Sequence, residues 1–203
     1  GSSFYGTARP DTGNFSEATT WAVDNWGEYL VACSSSDGKI YEWQLDTAVK
    51  AAVVANAPTS NLSMMVTAER FLFALGAGGN PRLVQWSDRE DNTLWAAAAT
   101  NEAGDIELQT AGQIMCGLSV RGQSLILTDQ DAHSATYQGP PFVYNFERVG
   151  QSCGVISRKA AISVDAGAFW MGQESFFSYS GGAVQELPCD VADYVFGDMN
   201  KSQ

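Results

Sequence analysis

Apolar residues in this chain gather in short runs of strand length, separated by compact polar or glycine-rich breaks. The clearest stretch is Ser63-Met64-Met65-Val66, a polar tetrad Thr67-Ala68-Glu69-Arg70, and then Phe71-Leu72-Phe73-Ala74-Leu75. Gly76-Ala77-Gly78-Gly79-Asn80-Pro81 breaks the chain, and an alternating run resumes in Arg82-Leu83-Val84-Gln85-Trp86-Ser87-Asp88. None of these runs has the 3.6-residue spacing of a helix, so the pattern predicts three antiparallel strands joined by two tight turns.

The arrangement recurs. Trp21 to Ala32 turns at Asp37-Gly38 into Lys39-Ile40-Tyr41-Glu42-Trp43. Gly117 to Thr128 turns near Asp131-Ala132-His133 into Ser134 to Tyr137, and Ala161 to Met171 turns at Gly172-Gln173-Glu174 into Ser175 to Tyr179. The valines that anchor these units, Val23, Val66, Val120 and Val164, lie 43, 54 and 44 residues apart. A period of about 40–50 residues with several strands per unit predicts an all-β chain. The expected architecture is a β-propeller, or part of one, with about four four-stranded blades. An irregular β-sandwich is the alternative. The four units fall at about 16–58, 62–110, 114–150 and 157–187, within a propeller portion spanning 17–203. Their expected outer strands are Val49–Val54, Asp105–Leu108, Phe142–Phe146 and a closing run Gly181–Leu187. Residues 1–16, rich in Gly, Ser, Thr and Pro, read as an arm or linker, with Gly1-Ser2 as an expression-tag scar. Val191 to Met199 reads as the start of something further. The one helical candidate runs from Asn92 to Thr100, where Ala96 to Ala99 raise local propensity.

Composition sharpens this picture. At 203 residues, 45% hydrophobic and 11% aromatic, the chain can bury a sizeable core, and its 20 glycines suit a turn-rich β fold. A net charge of −12, with 11 basic residues that form no stripe, excludes a nucleic-acid-gripping role. No apolar run approaches the about 20 residues that span a bilayer, so no membrane partner is expected. Cys33, Cys116, Cys153 and Cys189 are far apart with no C-x-x-C pair, which speaks against zinc and, without a signal peptide, for reduced thiols.

Candidate chemistry is sparse. His133 is the single histidine, is expected at a surface turn, and has no nucleophile motif near it. The segment Ser87 to Trp95 carries Asp88, Glu90 and Asp91 in what reads as an exposed acidic loop. Its spacing matches no EF-hand, so neither a metal nor any other cofactor is implied. Trp43, Trp86 and Trp170 lie in expected strands and read as blade-packing aromatics. Trp43 and Trp86 each follow their valine by 20 residues, which places them on one face of successive blades. Trp26, expected in a turn, is the more open aromatic.

Several segments resemble virion structural proteins of tailed bacteriophages. They are Tyr5-Gly6-Thr7-Ala8-Arg9-Pro10-Asp11, Ala18 to Ala32, Val84-Gln85-Trp86-Ser87-Asp88 and Arg148-Val149-Gly150-Gln151-Ser152-Cys153-Gly154, together with the run from Phe169-Trp170-Met171-Gly172 through Leu187-Pro188-Cys189-Asp190 to Phe196. Nearly the whole chain is similar in kind to the β-propeller nozzle and DNA-stabilising tail proteins below the portal of short-tailed phages. The resemblance implies a non-enzymatic part of the tail or head-tail junction, made in the host cytoplasm and built into the virion. Its implied partners are other virion proteins and copies of itself, in a homo-oligomeric ring around the DNA channel, where carboxylates would repel DNA and let it slide. The alternative is a carbohydrate-binding, receptor-recognising propeller module of the phage tail.

Overall fold

A computed structural model describes residues 19–199. The arm expected over 1–16 lies outside them. The described chain forms four four-stranded antiparallel sheets, each a meander in which consecutive strands pair. The first holds β1 (Trp21–Trp26), β2 (Tyr29–Ser34), β3 (Ile40–Trp43) and β4 (Ala52–Val53). The second holds β5 (Ser63–Val66), β6 (Leu72–Leu75), β7 (Leu83–Trp86) and β8 (Gly104–Glu107). The third holds β9 (Ile114–Val120), β10 (Gln123–Thr128), β11 (Asp131–Gly139) and β12 (Val143–Gln151). The fourth holds β13 (Ala161–Val164), β14 (Gly167–Met171), β15 (Phe176–Tyr179) and β16 (Gln185–Leu187), followed by a short helix α1 (Ala192–Asp198). No helix among the described residues is long and apolar enough to cross a membrane.

Turn chemistry sets the meanders. Arg121 and Gly122 both adopt positive φ (49° and 78°) between β9 and β10, the geometry of a two-residue type I′ hairpin whose twist matches its strands. Gly38 marks a close approach: a Cβ there would lie 2.5 Å from the Asn61 backbone nitrogen. The Gly38 carbonyl accepts hydrogen bonds from the Asn61 amide and side chain, tying the top of the first sheet to the chain entering the second.

The sheets stack through their first strands, β1 beside β5, β5 beside β9 and β9 beside β13, and the ring is not closed. Three apolar seams separate them. Val31, Cys33 and Ile40 meet Met64, Leu72 and Ala74 in the first. Met65, Phe73, Leu75 and Trp86 meet Ile126, Ala135 and Tyr144 in the second. Cys116, Val120, Leu125 and Leu127 meet Ala168, Trp170 and Tyr179 in the third. Because side chains alternate along a strand, each sheet has one face toward its predecessor and one toward its successor.

The structure corrects several local expectations. Asn92 to Thr100 is a loop, not a helix. Trp95 is drawn into the first seam, and the Asn101 side chain takes the Ala98 amide and Ala96 carbonyl that a helical turn would pair. So short an alanine run, exposed on all sides, has no packed face to offset the cost of helix nucleation. The helix comes instead at α1, in the segment after the fourth unit, where Phe196 packs on Phe176 with ring centroids 5.2 Å apart. The outer strands β4 and β16 are shorter than expected and β12 is longer. His133 lies inside β11, not at a turn.

Candidate functional site

Among the described residues the stack ends in two sheet faces that no other sheet covers, while Lys159, just before β13, donates to the Trp21 carbonyl of β1 and links the two end sheets. On the first sheet the register aligns Val23, Ala32, Tyr41 and Val53 in one row across all four strands, and Asn25, Leu30 and Trp43 in a second. These side chains point away from the first seam, which takes the alternate positions Ala22, Val31 and Ile40. Val23 is 55% exposed and Trp21 46%, and the Trp21 and Tyr41 rings lie 6.1 Å apart on this face. Trp43 is fixed at its edge by indole N–H hydrogen bonds to the Asp46 and Val49 carbonyls (3.0 and 3.2 Å). Beside it opens a groove of about 400 Å³ bordered by Tyr29, Glu42, Trp43, Val53 and Asn92. The Glu42 carboxylate accepts from the side-chain amides of Asn92 and Gln44 and the Asp46 carboxylate from the Ala48 amide, so both acids that line the groove are already held.

On the fourth sheet one row runs Ile162, Phe169, Ser178, Gln185 and another Met171, Phe176, Leu187. Ile162 is 60% exposed and Val164 45%, while the alternate position Ser163 donates to the Ser119 carbonyl across the third seam. Helix α1 shelters the Phe176 end and leaves the β13 end open. No Asp, Glu, Lys or Arg points from the paired strand residues of either end face.

The sequence-predicted residues do not come together. In the acidic loop, Asp88 accepts from the Arg89 and Glu102 amides, Asp91 from the Thr93 amide and hydroxyl, and Glu90 pairs with Arg70 (3.2 Å). The Thr93 hydroxyl and amide hold the Asp91 carboxyl below its usual range. These carboxylates brace the loop, and no group of three or more metal-ligating side chains is present among the described residues. Trp86 and Trp170 lie between sheets, 6% and 3% exposed. Trp43 does not: it stands on the uncovered face, opposite in sense to Trp86, so the expectation of one shared face is corrected. Trp26, expected to be open, is buried with the Arg70 guanidinium over its ring at 5.3 Å.

One polar cluster was missed. Asp131 is buried, and its carboxylate accepts from the hydroxyls of Thr110 (2.9 Å) and Thr128 (2.6 Å) and lies 3.1 Å from His133 Nε2. Burial pulls the His133 imidazole below its ordinary value, against the opposing pull of Asp131. Asp131 and His133 two apart in a strand was the available signal, since that spacing puts both on one face. These hydrogen bonds tie the loop before β9 and the β10–β11 turn to β11, so the cluster is a brace.

No family model and no curated protein matches the chain. Solved structures do. It is similar to the extracellular domain of a hybrid two-component system from B. thetaiotaomicron (12% identity, TM-score 0.55), over 90% of this chain and 23% of that one. It is similar to a catalytically inactive virginiamycin B lyase from Staphylococcus aureus, solved with quinupristin (5% identity, TM-score 0.53), over 85% of this chain and 61% of that one. It is similar to an exported protein from Bacteroides fragilis NCTC 9343 (10% identity, TM-score 0.50), over 83% of this chain and 49% of that one. At these identities the likeness defines the fold: an all-β, propeller-like stack of four four-stranded blades. The chain spans between a quarter and three-fifths of the length of these structures.

Proposed function

We propose that this chain is a non-enzymatic structural component of a phage virion, a propeller segment that acts by assembling with other β-sheets. Its place is the tail or head-tail junction, in several copies around the DNA channel. The observation that carries the reading is the pair of uncovered apolar end faces. In a chain of net charge −12, both are free of ionic side chains along their strands. Large exposed apolar faces mark interaction surfaces. The acidity suits a part that lies near DNA without gripping it. The resemblance of the segments around Trp21, Trp86 and Cys153 to short-tailed phage tail proteins supplies the setting. Immunogold labelling and mass spectrometry of purified particles of the phage encoding the chain test this. Several copies per particle, with gold at the tail, are expected; absence from the particle overturns it.

The groove beside Trp43 favours a second reading, a receptor-recognising carbohydrate module, because an indole fixed at its N–H offers a stacking surface next to polar groups. A glycan array decides between them. Silence is expected from the structural reading, whereas binding abolished by Trp43→Ala would install the second.

A further inference from the structure

Beside Trp43, the groove of about 400 Å³ combines aromatic walls with carboxylates that no cation neutralises. Glu42 and Asp46 both border it, and each is held by neutral donors. Glu42 accepts from the side-chain amides of Asn92 (2.5 Å) and Gln44 (3.0 Å), and Asp46 from the Ala48 amide (2.8 Å). Such donors orient a carboxylate and leave its charge in place. Lys50 borders the same groove, yet among the described residues no Lys or Arg forms an ion pair with either acid. The rings match this field. The Trp43 indole N–H is already committed to the Asp46 and Val49 carbonyls, so the ring offers a ligand its hydrocarbon and π surface and no donor. Tyr29, 37% exposed, borders the same space, and among the described residues no Lys or Arg stacks over either ring. An adjoining groove of about 350 Å³, bordered by Trp43, Trp21 and Tyr41, extends the aromatic wall.

We propose that this groove binds a small organic cation, an ammonium group clothed in methyl or other alkyl substituents, as in choline. The face of an aromatic ring carries partial negative charge and attracts a cation, most strongly for indole. The carboxylates of Glu42 and Asp46 add to that attraction, and Val49 and Val53 give the alkyl groups an apolar wall. A compact, strongly hydrated cation would have to shed its water to reach these surfaces, whereas an alkylated ammonium meets them with its own hydrocarbon. Lys50 opposes the ligand, so the two acids and the two rings must together outweigh one like charge. The inference goes beyond the assembly reading and does not rest on it. It is also distinct from the carbohydrate reading, because a neutral sugar has no charge for Glu42 and Asp46 to meet.

Isothermal titration calorimetry of the 203-residue chain with choline, at low ionic strength, tests this against the uncharged carbon isostere of choline. Choline should bind, and the isostere at least about tenfold more weakly. Trp43→Ala, with an unchanged circular dichroism spectrum, should weaken choline binding by about five- to thirtyfold. Two charge variants leave the rings intact and should act with opposite sign. Glu42→Gln keeps an acceptor for Asn92 and removes the charge, so choline should bind about two- to fivefold more weakly. Lys50→Met removes a like charge, so choline should bind about two- to fivefold more tightly. No choline binding by the parent overturns the proposal. So does equal binding of the isostere, or weaker choline binding by Lys50→Met. Each of these failures leaves the assembly reading standing, since that depends on finding the chain in particles, and absence from particles leaves the cation site standing.

Discussion

Replacing Trp86 with Ala removes an indole wedged in the second seam, with Phe73, Tyr144 and Phe146 at centroid distances of 5.9, 5.8 and 5.7 Å. It also strips the Glu102 carbonyl of the indole N–H that reaches it at 2.8 Å. Trp-to-Ala truncation at a packed site costs about 3–5 kcal/mol. Total stability is about 5–15 kcal/mol, so between about a fifth and all of it would go. In a domain of this size each kcal/mol lowers the melting temperature by about 2–4 °C, which predicts a drop of roughly 6–20 °C. Trp43→Ala is the matched control. That indole stands on the open face of the first sheet and loses two exposed hydrogen bonds, for about 1 kcal/mol or about 2–4 °C. Scanning calorimetry, run where light scattering gives a single-copy mass of 21.7 kDa so that self-assembly does not contribute, measures both. A Trp86→Ala melt within about 2 °C of the parent would refute the seam argument. So would a Trp43→Ala loss as large as that of Trp86→Ala.

Two further outcomes follow from buried titratable groups. Burial holds His133 below its ordinary 6.5, with Asp131 opposing and Arg148 assisting, so the unfolded chain takes its proton first as pH falls. The stability tied to neutral His133 is complete above about 6.5 and declines as pH drops through 6.5 toward the native value. The melting temperature should therefore fall from pH 7.5 to 5.5 in the parent and less steeply in His133→Gln, and equal slopes would contradict this assignment. Burial also pushes the Cys33 and Cys153 thiols up to about 11 and Cys116 up to about 12, leaving little thiolate at neutral pH. A thiol reagent should label only the partly exposed Cys189 in the native protein and all four cysteines in the denatured one; fast native labelling of Cys116 would show that the third seam opens.

The four units were legible because each is built locally. An apolar run, a turn of Gly, Asn or Asp, and a second run specify a hairpin whatever the rest of the chain does. The face on which a given residue lands was not legible. Trp43 and Trp86 both follow a valine by 20 residues, yet they end on opposite sides of their sheets. On the first sheet Val23 shares its row with Ala32 and Tyr41, so the row recurs 18 residues on and Trp43 lies two beyond it, on the same side. On the second sheet Val66 pairs with Leu72, whose carbonyl takes the Ser87 amide; the row recurs 21 residues on, and Trp86 lies one short of it, on the other side. The difference arises in the first hairpin, where Gly27 and Glu28 alone join β1 to β2 while Thr67 to Phe71 separate β5 from β6. An odd change in turn length inverts every side chain after it, and nothing in the apolar spacing records the change.

The candidate site was hidden for a different reason. Val23 and Val66 sit in first strands, each with an apolar residue two positions before it (Trp21 and Met64), and one is 55% exposed while the other packs against the preceding sheet. Exposure here is a property of the position in the stack. A strand face that would be core between two sheets becomes surface when the sheet beside it is missing, with no change in the residues that compose it. The acidic loop drew attention instead because carboxylates look reactive in a sequence, yet in the fold they are taken up by partners in the loop and beside it: Asp91 by Thr93, Asp88 by the Arg89 and Glu102 amides, and Glu90 by Arg70. The function proposed for this stack thus falls to the residues that resemble its core most closely and lie at its two ends.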